Sequence, residues 1–438
     1  MSHEFHMPSR EEILAGTSRP LPARLRTFCA VLAVTGALVF IIGLFVAPDR
    51  AWRSLLFNWL YFTSVSSAGV MFVAVQRITT ARWSRPVIRF LEGYVAFLPV
   101  AFLLLLLIFV GRNHIFPWTI AAPEIAEKRA YLNPWFLIPR DIVLFGTLAS
   151  LSLWYIYTSV RLDVGLSDEG GAKWAKGIRA RMRRGFRDER REIHSTHSLQ
   201  GKLAVFHAFA FAFFWIVLSW DLSMSLDLHF QSTMYGWWFF MGGWVTALAS
   251  FTILTIAWRR YLDRYDLITE KHFHDLGKLC FAFTAFWGYL TFGQYLVIWY
   301  GNMGEETHWM RLRLIAPWMK LTLTGVAFMF LPFFGLMARS TKVFLPTMTF
   351  FATCTLIGLW IHRYIEVYPS LYSGATGIPL GIWELGVGIG LLGIWGLCYS
   401  AFMDAFPRMR VVLMTSPYRD EVQVPVNAET MEPLPAHE

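Results

Sequence analysis

Residues 203–258 read LAVFHAFAFAFFWIVLSWDLSMSLDLHFQSTMYGWWFFMGGWVTALASFTILTIAW. Two long apolar runs in this stretch are joined by a short segment that carries Asp221, Asp227 and His229. A bilayer core about 30 Å thick requires about 20 apolar residues per helix, and each run is long enough. The stretch therefore predicts two membrane-spanning helices, and it raises the question of why acids and an imidazole lie between them.

The composition of the whole chain also indicates a membrane protein. Of the 438 residues, 55% are hydrophobic and only 16% are charged, whereas soluble domains carry about 25% charged residues. The cysteines lie singly in apolar runs, at Cys29, Cys280, Cys354 and Cys398. This spacing argues against a disulfide framework, an iron–sulfur cluster and c-type haem attachment.

The apolar pattern recurs along the chain and predicts ten spans. Unsatisfied backbone groups are costly in hydrocarbon, so each span should be a helix, and the first is expected to be retained rather than cleaved as a signal peptide. The predicted spans are residues 27–47, 55–76, 90–111, 141–160, 203–222, 235–258, 279–299, 316–337, 343–362 and 379–403. The expected fold is an all-α integral membrane protein with an N-terminal segment (1–26), a ten-helix domain (27–403) and a polar tail (404–438).

Lysine and arginine are concentrated in alternate connections between the predicted spans. The connections on the side of the N terminus hold 29 of the 39 basic residues. Because positive residues favour the cytoplasmic side, both termini are predicted to be cytoplasmic. The basic loop 161–202 is expected to contain an interfacial helix on anionic lipid rather than a nucleic-acid site. The tail is expected to be extended and available to a partner subunit.

Polar side chains near the predicted outer ends of five spans are the main functional candidates, because charge inside a membrane is costly. These residues are Asp221, Asp227, His229, Gln294, Glu305, Glu306, His362, Arg363, Glu366 and Glu384. Quinol oxidation needs a carboxylate or imidazole that accepts protons, a donor that holds the carbonyl, and apolar walls for the ring. A proton path would use the same residue types.

Structural roles are the alternatives for these outer residues. Arg363 would pair with Asp221 or Glu384 and simply hold helices together. The connecting segment would be solvated, with a helix N-cap at Ser232 or Thr233.

On the inner side, the candidates are His207, about one turn into its span, and the pair His274 and Asp275, which would take up protons. His272 and His274 are two positions apart and do not share a helix face, which argues against a metal site. A haem would need facing histidines on two helices, and only His207 lies clearly within a span at this depth.

Three segments resemble one protein family. They are HDLGKLCFAFTAFWGYLTFGQYLVIWYGNMGEETHW (274–309), DLSMSLDLHFQSTMYG (221–236) and RAYLNPWFLIPRDIV (129–143), the last with Asn133 and Arg140 in the family's places. These segments resemble the F subunits of alternative complex III, a bacterial quinol:electron-acceptor oxidoreductase. Gly293 and Gly304 depart from the serine and the proline expected in that family.

The resemblance implies a polysulfide-reductase-like (NrfD-like) fold of two four-helix bundles plus flanking helices, with no redox cofactor or metal of its own. It implies a bacterial inner-membrane complex with a paralogous ten-helix C subunit, a periplasmic iron–sulfur subunit, c-type haem subunits and small membrane subunits. In such a complex the chain would contribute a second quinone site or a proton path. Asp221, His229, Gln294, His362, Arg363 and Glu384 are the leading site residues.

Two other functions stay open at this point. A secondary transporter would carry broken helices at matching positions of two halves. The tenth span contains the glycine-rich GIGLLGIWG, but the first five spans show no counterpart. The second of these functions is that of a purely structural membrane anchor.

Overall fold

The computed structural model describes residues 9–15, 20–120, 126–166, 171–416 and 418. These residues form helices and the turns between them, and none of them lies in a strand. The predicted all-α class is therefore confirmed.

Long helices make up most of the molecule. They are α1 (Ala23–Val46), α2 (Pro48–Ile78), α3 (Ile88–Val110), α4 (Pro134–Leu166), α5 (Glu189–Leu222), α6 (Tyr235–Leu262), α7 (Glu270–Gly301), α8 (Gly304–Leu314), α9 (Met319–Gly335), α10 (Leu345–Leu371) and α11 (Ile382–Ala405). One turn of α3, Gly93–Phe97, is a 3₁₀-helix. Shorter helical segments are Arg10–Ala15, Arg112–Ile115, Pro117–Thr119, Ala126–Tyr131, Lys173–Ala175, Lys176–Arg183, Met224–Leu226, Arg339–Val343 and Val411–Thr415.

Nine helices among the described residues, α1 to α7, α10 and α11, are long and apolar enough to cross a membrane. The predicted eighth span corresponds to α9, which meets α8 at an angle of 87°. Pro317 lies in the break, and proline disfavours helix both at its own position and at the residue before it. The chain is therefore a multi-pass membrane protein, and its described residues contain up to ten spans if α8 and α9 are counted as one broken span.

Successive long helices reverse direction, so the connections gather at two ends of the molecule. We call the end at which α1 begins the near end; its connections include residues 79–87, 263–269 and 336–344. We call the opposite end the far end; its connections include residues 111–120, 126–133, 223–234 and 372–381. The sequence predicts that the far end faces outward, and this orientation stays a prediction.

Helices α2 and α6 form the centre of the molecule. Both are buried along most of their length, and α2 packs against α5, α6, α10 and α11. Their mixture of small, polar and aromatic side chains suits helices that contact other helices rather than lipid. The more apolar α1 lies outside them against α11.

The glycine-rich part of α11 serves close packing with α1. A Cβ atom on Gly36 of α1 would lie 2.2 Å from the Cα of Gly390 in α11. Small residues at such a crossing let two backbones approach closely. Helix α11 continues without a break through this segment, so these glycines do not mark a discontinuous helix.

The first part of the predicted polar tail folds back onto the near end. Arg410 binds the Glu92 carboxylate, and the Val412 amide donates to Asp163 at 2.9 Å. Met409 and Val411 are fully buried. Residues 404–416 therefore belong to the body of this chain, while the remainder of the predicted tail, apart from residue 418, lies outside the described residues.

Candidate functional site

The arginine on α10 does not make the helix-to-helix ion pair that was considered above. Arg363 donates from Nη1 to both carboxyl oxygens of Glu366, at 2.7 and 2.8 Å. Its Nη2 donates to the carbonyl oxygen of Phe239 at 2.7 Å. The predicted pairing with Asp221 or Glu384 is therefore wrong, because a carboxylate one turn away on the same helix satisfies the guanidinium first.

Glu366 forms one wall of a cavity at the far end, which we call the far-end cavity. It measures about 370 Å³ and lies among α6, α7, α8, α9 and α10. Its lining includes Trp238, Trp287, Trp309, Gln294, His362 and Glu366. Mostly apolar walls with a few convergent polar groups are typical of small-molecule sites of this size.

Gln294 places in the lining of this cavity a buried amide that has no partner among the described residues. Its side chain is 4% exposed. Neither the amide nitrogen nor the amide oxygen makes a hydrogen bond with the described residues. An unsatisfied buried amide is costly, and native proteins retain few of them without a reason. The amide of Gln294 therefore keeps unused hydrogen-bonding capacity at the wall of the cavity.

His362 carries the second polar group of the far-end cavity. Its Nδ1 lies 2.8 Å from Oε1 of Glu366, and the carboxylate therefore stabilises a proton on Nδ1. This tautomer leaves Nε2 as a hydrogen-bond acceptor. The rings of Trp238 and Trp287 pack edge-to-face on the imidazole, with centroids 4.6 and 5.5 Å away.

Arg313, which the sequence did not single out, holds α8 across the end of α10. Its guanidinium donates to the carbonyl oxygens of Ile365 and Glu366, at 3.1 and 3.0 Å, and stacks 3.7 Å over the ring of Trp309. These contacts fix Trp309 as a wall of the cavity. Sequence reasoning missed Arg313 because its role depends on the 87° turn between α8 and α9.

Asp221 lies in a separate cluster with a second buried acid. Arg140 donates from Nε and Nη2 to Oδ2 of Asp221, at 3.0 and 2.8 Å. The carboxyl group of Asp141, also fully buried, lies beside that of Asp221. No described donor reaches the carboxyl oxygens of Asp141. Two such carboxyl groups are compatible when one holds a proton and donates it to the other.

The same cluster includes Tyr131, just outside the start of α4. Burial and then the neighbouring Asp221 carboxylate raise the pKa of the Tyr131 hydroxyl. The Arg140 guanidinium lies 4.1 Å over the Tyr131 ring. Sequence reasoning missed Asp141. The signal that would have found it is an acid that follows Arg140 directly, at the same depth as Asp221.

Glu384 caps helix α11 and ties it to α2. Its carboxylate accepts from Arg50 at 3.0 and 2.6 Å, from the Tyr368 hydroxyl at 3.0 Å, and from the Gly381 amide at 2.8 Å. A carboxylate at a helix N-terminus is stabilised by the orphan amides there. Because both oxygens are satisfied by these donors, the geometry favours a structural role for Glu384.

The connection between α5 and α6 is organised by Asp227. Its Oδ1 accepts from the backbone amides of His229 and Phe230, at 3.3 and 3.4 Å, and the His229 side chain is exposed. The predicted side-chain cap of α6 at Ser232 or Thr233 is wrong. The N-cap residue is Met234, which makes no side-chain hydrogen bond.

Glu305 and Glu306 lie in the first turn of α8, where negative charge complements the helix dipole. Neither lines the far-end cavity. Burial lowers the pKa of the nearby Lys128, while the negative charges of Glu305 and Asp227 oppose that shift. The Lys128 ammonium donates to the carbonyl oxygen of Leu228 at 2.6 Å, which ties the two far-end connections together.

The inner candidates make separate hydrogen bonds and ion pairs. His207 is fully buried, with Nε2 2.8 Å from the Ser152 hydroxyl. Asp275 pairs with Lys278 at 2.7 Å, and His274 is partly exposed. Within the described ranges, no three His, Cys, Asp or Glu side chains are arranged to hold a metal ion.

The structure thus brings Gln294, His362 and Arg363 together around Glu366, and it places Asp221, His229 and Glu384 elsewhere. Compared with known proteins, the chain matches no family model and has no significant match among curated proteins.

Proposed function

We propose that this chain is a membrane subunit of a quinol-oxidising electron-transfer complex and that its far-end cavity binds a quinone head group. The observation that carries the proposal is the unpaired, buried amide of Gln294 in an aromatic cavity shared with His362. A quinone ring offers the matching chemistry, because it is flat and apolar and has one oxygen at each end. The resemblance to F subunits of alternative complex III supports the same assignment.

Bound quinol would be held between the two polar groups of the cavity. One ring oxygen bonds to the Gln294 amide, and the opposite hydroxyl donates to Nε2 of His362. Transfer of that hydroxyl proton to Nε2 leaves the quinol singly deprotonated, and the carboxylate of Glu366 stabilises the imidazolium through Nδ1. Arg363 holds the Glu366 carboxylate in place. Complete oxidation to the quinone would release the second proton to water and two electrons to redox centres of partner subunits, namely the C subunit assembly with its iron–sulfur and c-type haem subunits.

The cavity opens on the side where a lipid-soluble ligand would arrive. Phe292 of α7 and Leu323 of α9 belong to the lining and are 62% and 54% exposed. Apolar side chains exposed on membrane-spanning helices face lipid. An isoprenoid tail would therefore leave the cavity between α7 and α9.

Quinone binding is testable by fluorescence, because three tryptophans line the cavity. We expect a short-chain quinone to quench tryptophan emission of the purified chain saturably. The Val326→Phe variant replaces a small side chain of the cavity lining with an aromatic ring. It should abolish the saturable component of the quenching. Quenching that never saturates, or that is identical in both proteins, would count against the proposal.

A proton path is the second candidate function, and the pair of Asp141 and Asp221 favours it. The Asp141→Asn variant is expected to lose the infrared carbonyl band of a protonated carboxylic acid, because an amide donates to Asp221 without sharing a proton. Its stability should change by about 1 kcal/mol or less, since a hydrogen bond is kept. Asp275→Asn is the control, and a band unchanged in Asp141→Asn would contradict the shared proton.

A transporter and a structural anchor remain rival proposals. The break between α8 and α9 beside the cavity is the feature that a transporter would use. Co-purification with haem and iron–sulfur proteins would favour the electron-transfer complex. Isolation as a monomer that binds a solute but no quinone would favour transport.

A further inference from the structure

A second groove, at the near end, has no part in the quinone proposal. It measures about 510 Å³ and lies among α3, α4, α11 and the short helix Lys176–Arg183. Its floor is buried and apolar and is formed by Val95, Ile156, Val160, Met182 and Phe402. The lining residues of α4, from Leu153 to Val160, extend over about two helical turns, which suits an extended apolar chain better than a compact ligand.

Aromatic side chains form the rim of this groove. Trp154 and Tyr157 of α4 are 50% and 44% exposed and line its open side. Tryptophan and tyrosine are enriched where a membrane meets water. The rim therefore has the composition expected at the level of lipid head groups.

The short helix Lys176–Arg183 is held in place against the groove. The Arg179 guanidinium is buried and donates to the carbonyl oxygens of Ala405 and Ala172, at 2.8 and 2.9 Å. Ile178 and Met182, four positions apart, share a helix face and both line the groove. The fold thus fixes the position of this helix through Arg179 and its apolar face.

Arg181 supplies positive charge at the mouth of the groove. It is exposed and belongs to the lining, and no acidic residue of the described chain lines the groove with it. Residues 176–187 contain further lysine and arginine and no aspartate or glutamate. An apolar floor, an aromatic rim and a cationic mouth together complement one amphipathic, negatively charged molecule.

We propose that this near-end groove binds an anionic phospholipid, with an acyl chain along the floor and the phosphate at Arg181. The assignment is independent of the quinone proposal, since the two cavities share no lining residue. The proposal is also more specific than a general attraction between a basic surface and a membrane, because it places one lipid molecule in one groove.

Native mass spectrometry of the full chain, delipidated and then supplied with phosphatidylglycerol or phosphatidylcholine, tests the proposal. We expect wild-type chain to retain one phosphatidylglycerol in preference to phosphatidylcholine. Arg181→Gln should weaken retention about five-fold, the effect of about one basic residue at a membrane surface. Arg184→Gln, on an exposed residue outside the groove lining, is the matched control and should behave as wild type.

A second variant separates the groove from the general charge of the helix. Leu153→Trp narrows the open side of the groove without changing charge, and it should also reduce retention. Equal retention of both lipids by wild type would overturn the proposal, as would equal losses in Arg181→Gln and Arg184→Gln. Unchanged retention in Leu153→Trp would overturn the placement of the acyl chain.

Discussion

Replacing Arg363 with methionine is expected to destabilise the folded chain by about 3–5 kcal/mol. Removing one partner of a buried ion pair leaves the other charge uncompensated, and penalties of about this size are typical. The Glu366 carboxylate would keep only its hydrogen bond with His362, and the carbonyl oxygen of Phe239 would lose its side-chain donor. Unfolding of the purified protein in mixed detergent micelles, compared with wild type, measures the loss.

The double variant Arg363→Met/Glu366→Leu is the control for this experiment. Removing both charges leaves no unpaired carboxylate, so most of the lost stability should return. The double variant should nevertheless fail to bind quinone, because His362 then lacks the carboxylate that orients its ring. A single variant as stable as wild type would show that Arg363 does not neutralise Glu366.

Gln294→Leu is expected to weaken quinone binding about 10- to 100-fold while leaving the fold intact. The substitution removes the group proposed to bond one ring oxygen, and loss of such a bond costs about 1–3 kcal/mol. Stability should stay the same or rise, because a buried amide without a protein partner is itself unfavourable. Tryptophan-quenching titrations and the unfolding measurement together test both parts.

Gln200→Leu provides the matched control, since Gln200 is also buried but is already bonded to Thr158 at 3.2 Å. That variant should lose stability and keep quinone affinity, the reverse of Gln294→Leu. If Gln294→Leu instead destabilised the chain and bound quinone normally, the amide would have a structural role and the proposed site would be wrong.

At the far end, some buried polar groups have all their hydrogen bonds satisfied and others do not. This contrast separates structural from functional residues. Both carboxyl oxygens of Glu384 accept hydrogen bonds. Oε1 accepts from Arg50 and Tyr368, and Oε2 accepts from Arg50 and the Gly381 amide. Around Gln294 and Asp141, hydrogen-bonding capacity remains unused by the described protein groups. Buried unused capacity is where a ligand or a proton can be bound at least cost to the fold.

Much of the fold followed from the sequence because spanning a membrane is a local requirement. Each run such as 203–222 must be long and apolar enough to cross the bilayer, and it must be helical to satisfy its own backbone hydrogen bonds. The helices lie where these runs predicted. The eighth span was the exception, since the turn at Pro317 left α9 short and laid α8 across its start.

The sequence by itself determined that this chain is an α-helical membrane protein with polar side chains near its far end. Only the tertiary structure decided which of those side chains meet: Gln294 with His362 around one cavity, and Asp221 with Asp141 in another cluster. The reason is physical. The length of an apolar run is a property of each helix by itself. The partners of a buried polar group lie mostly on other helices, so only the packing of the helices sets the distances between the group and its partners.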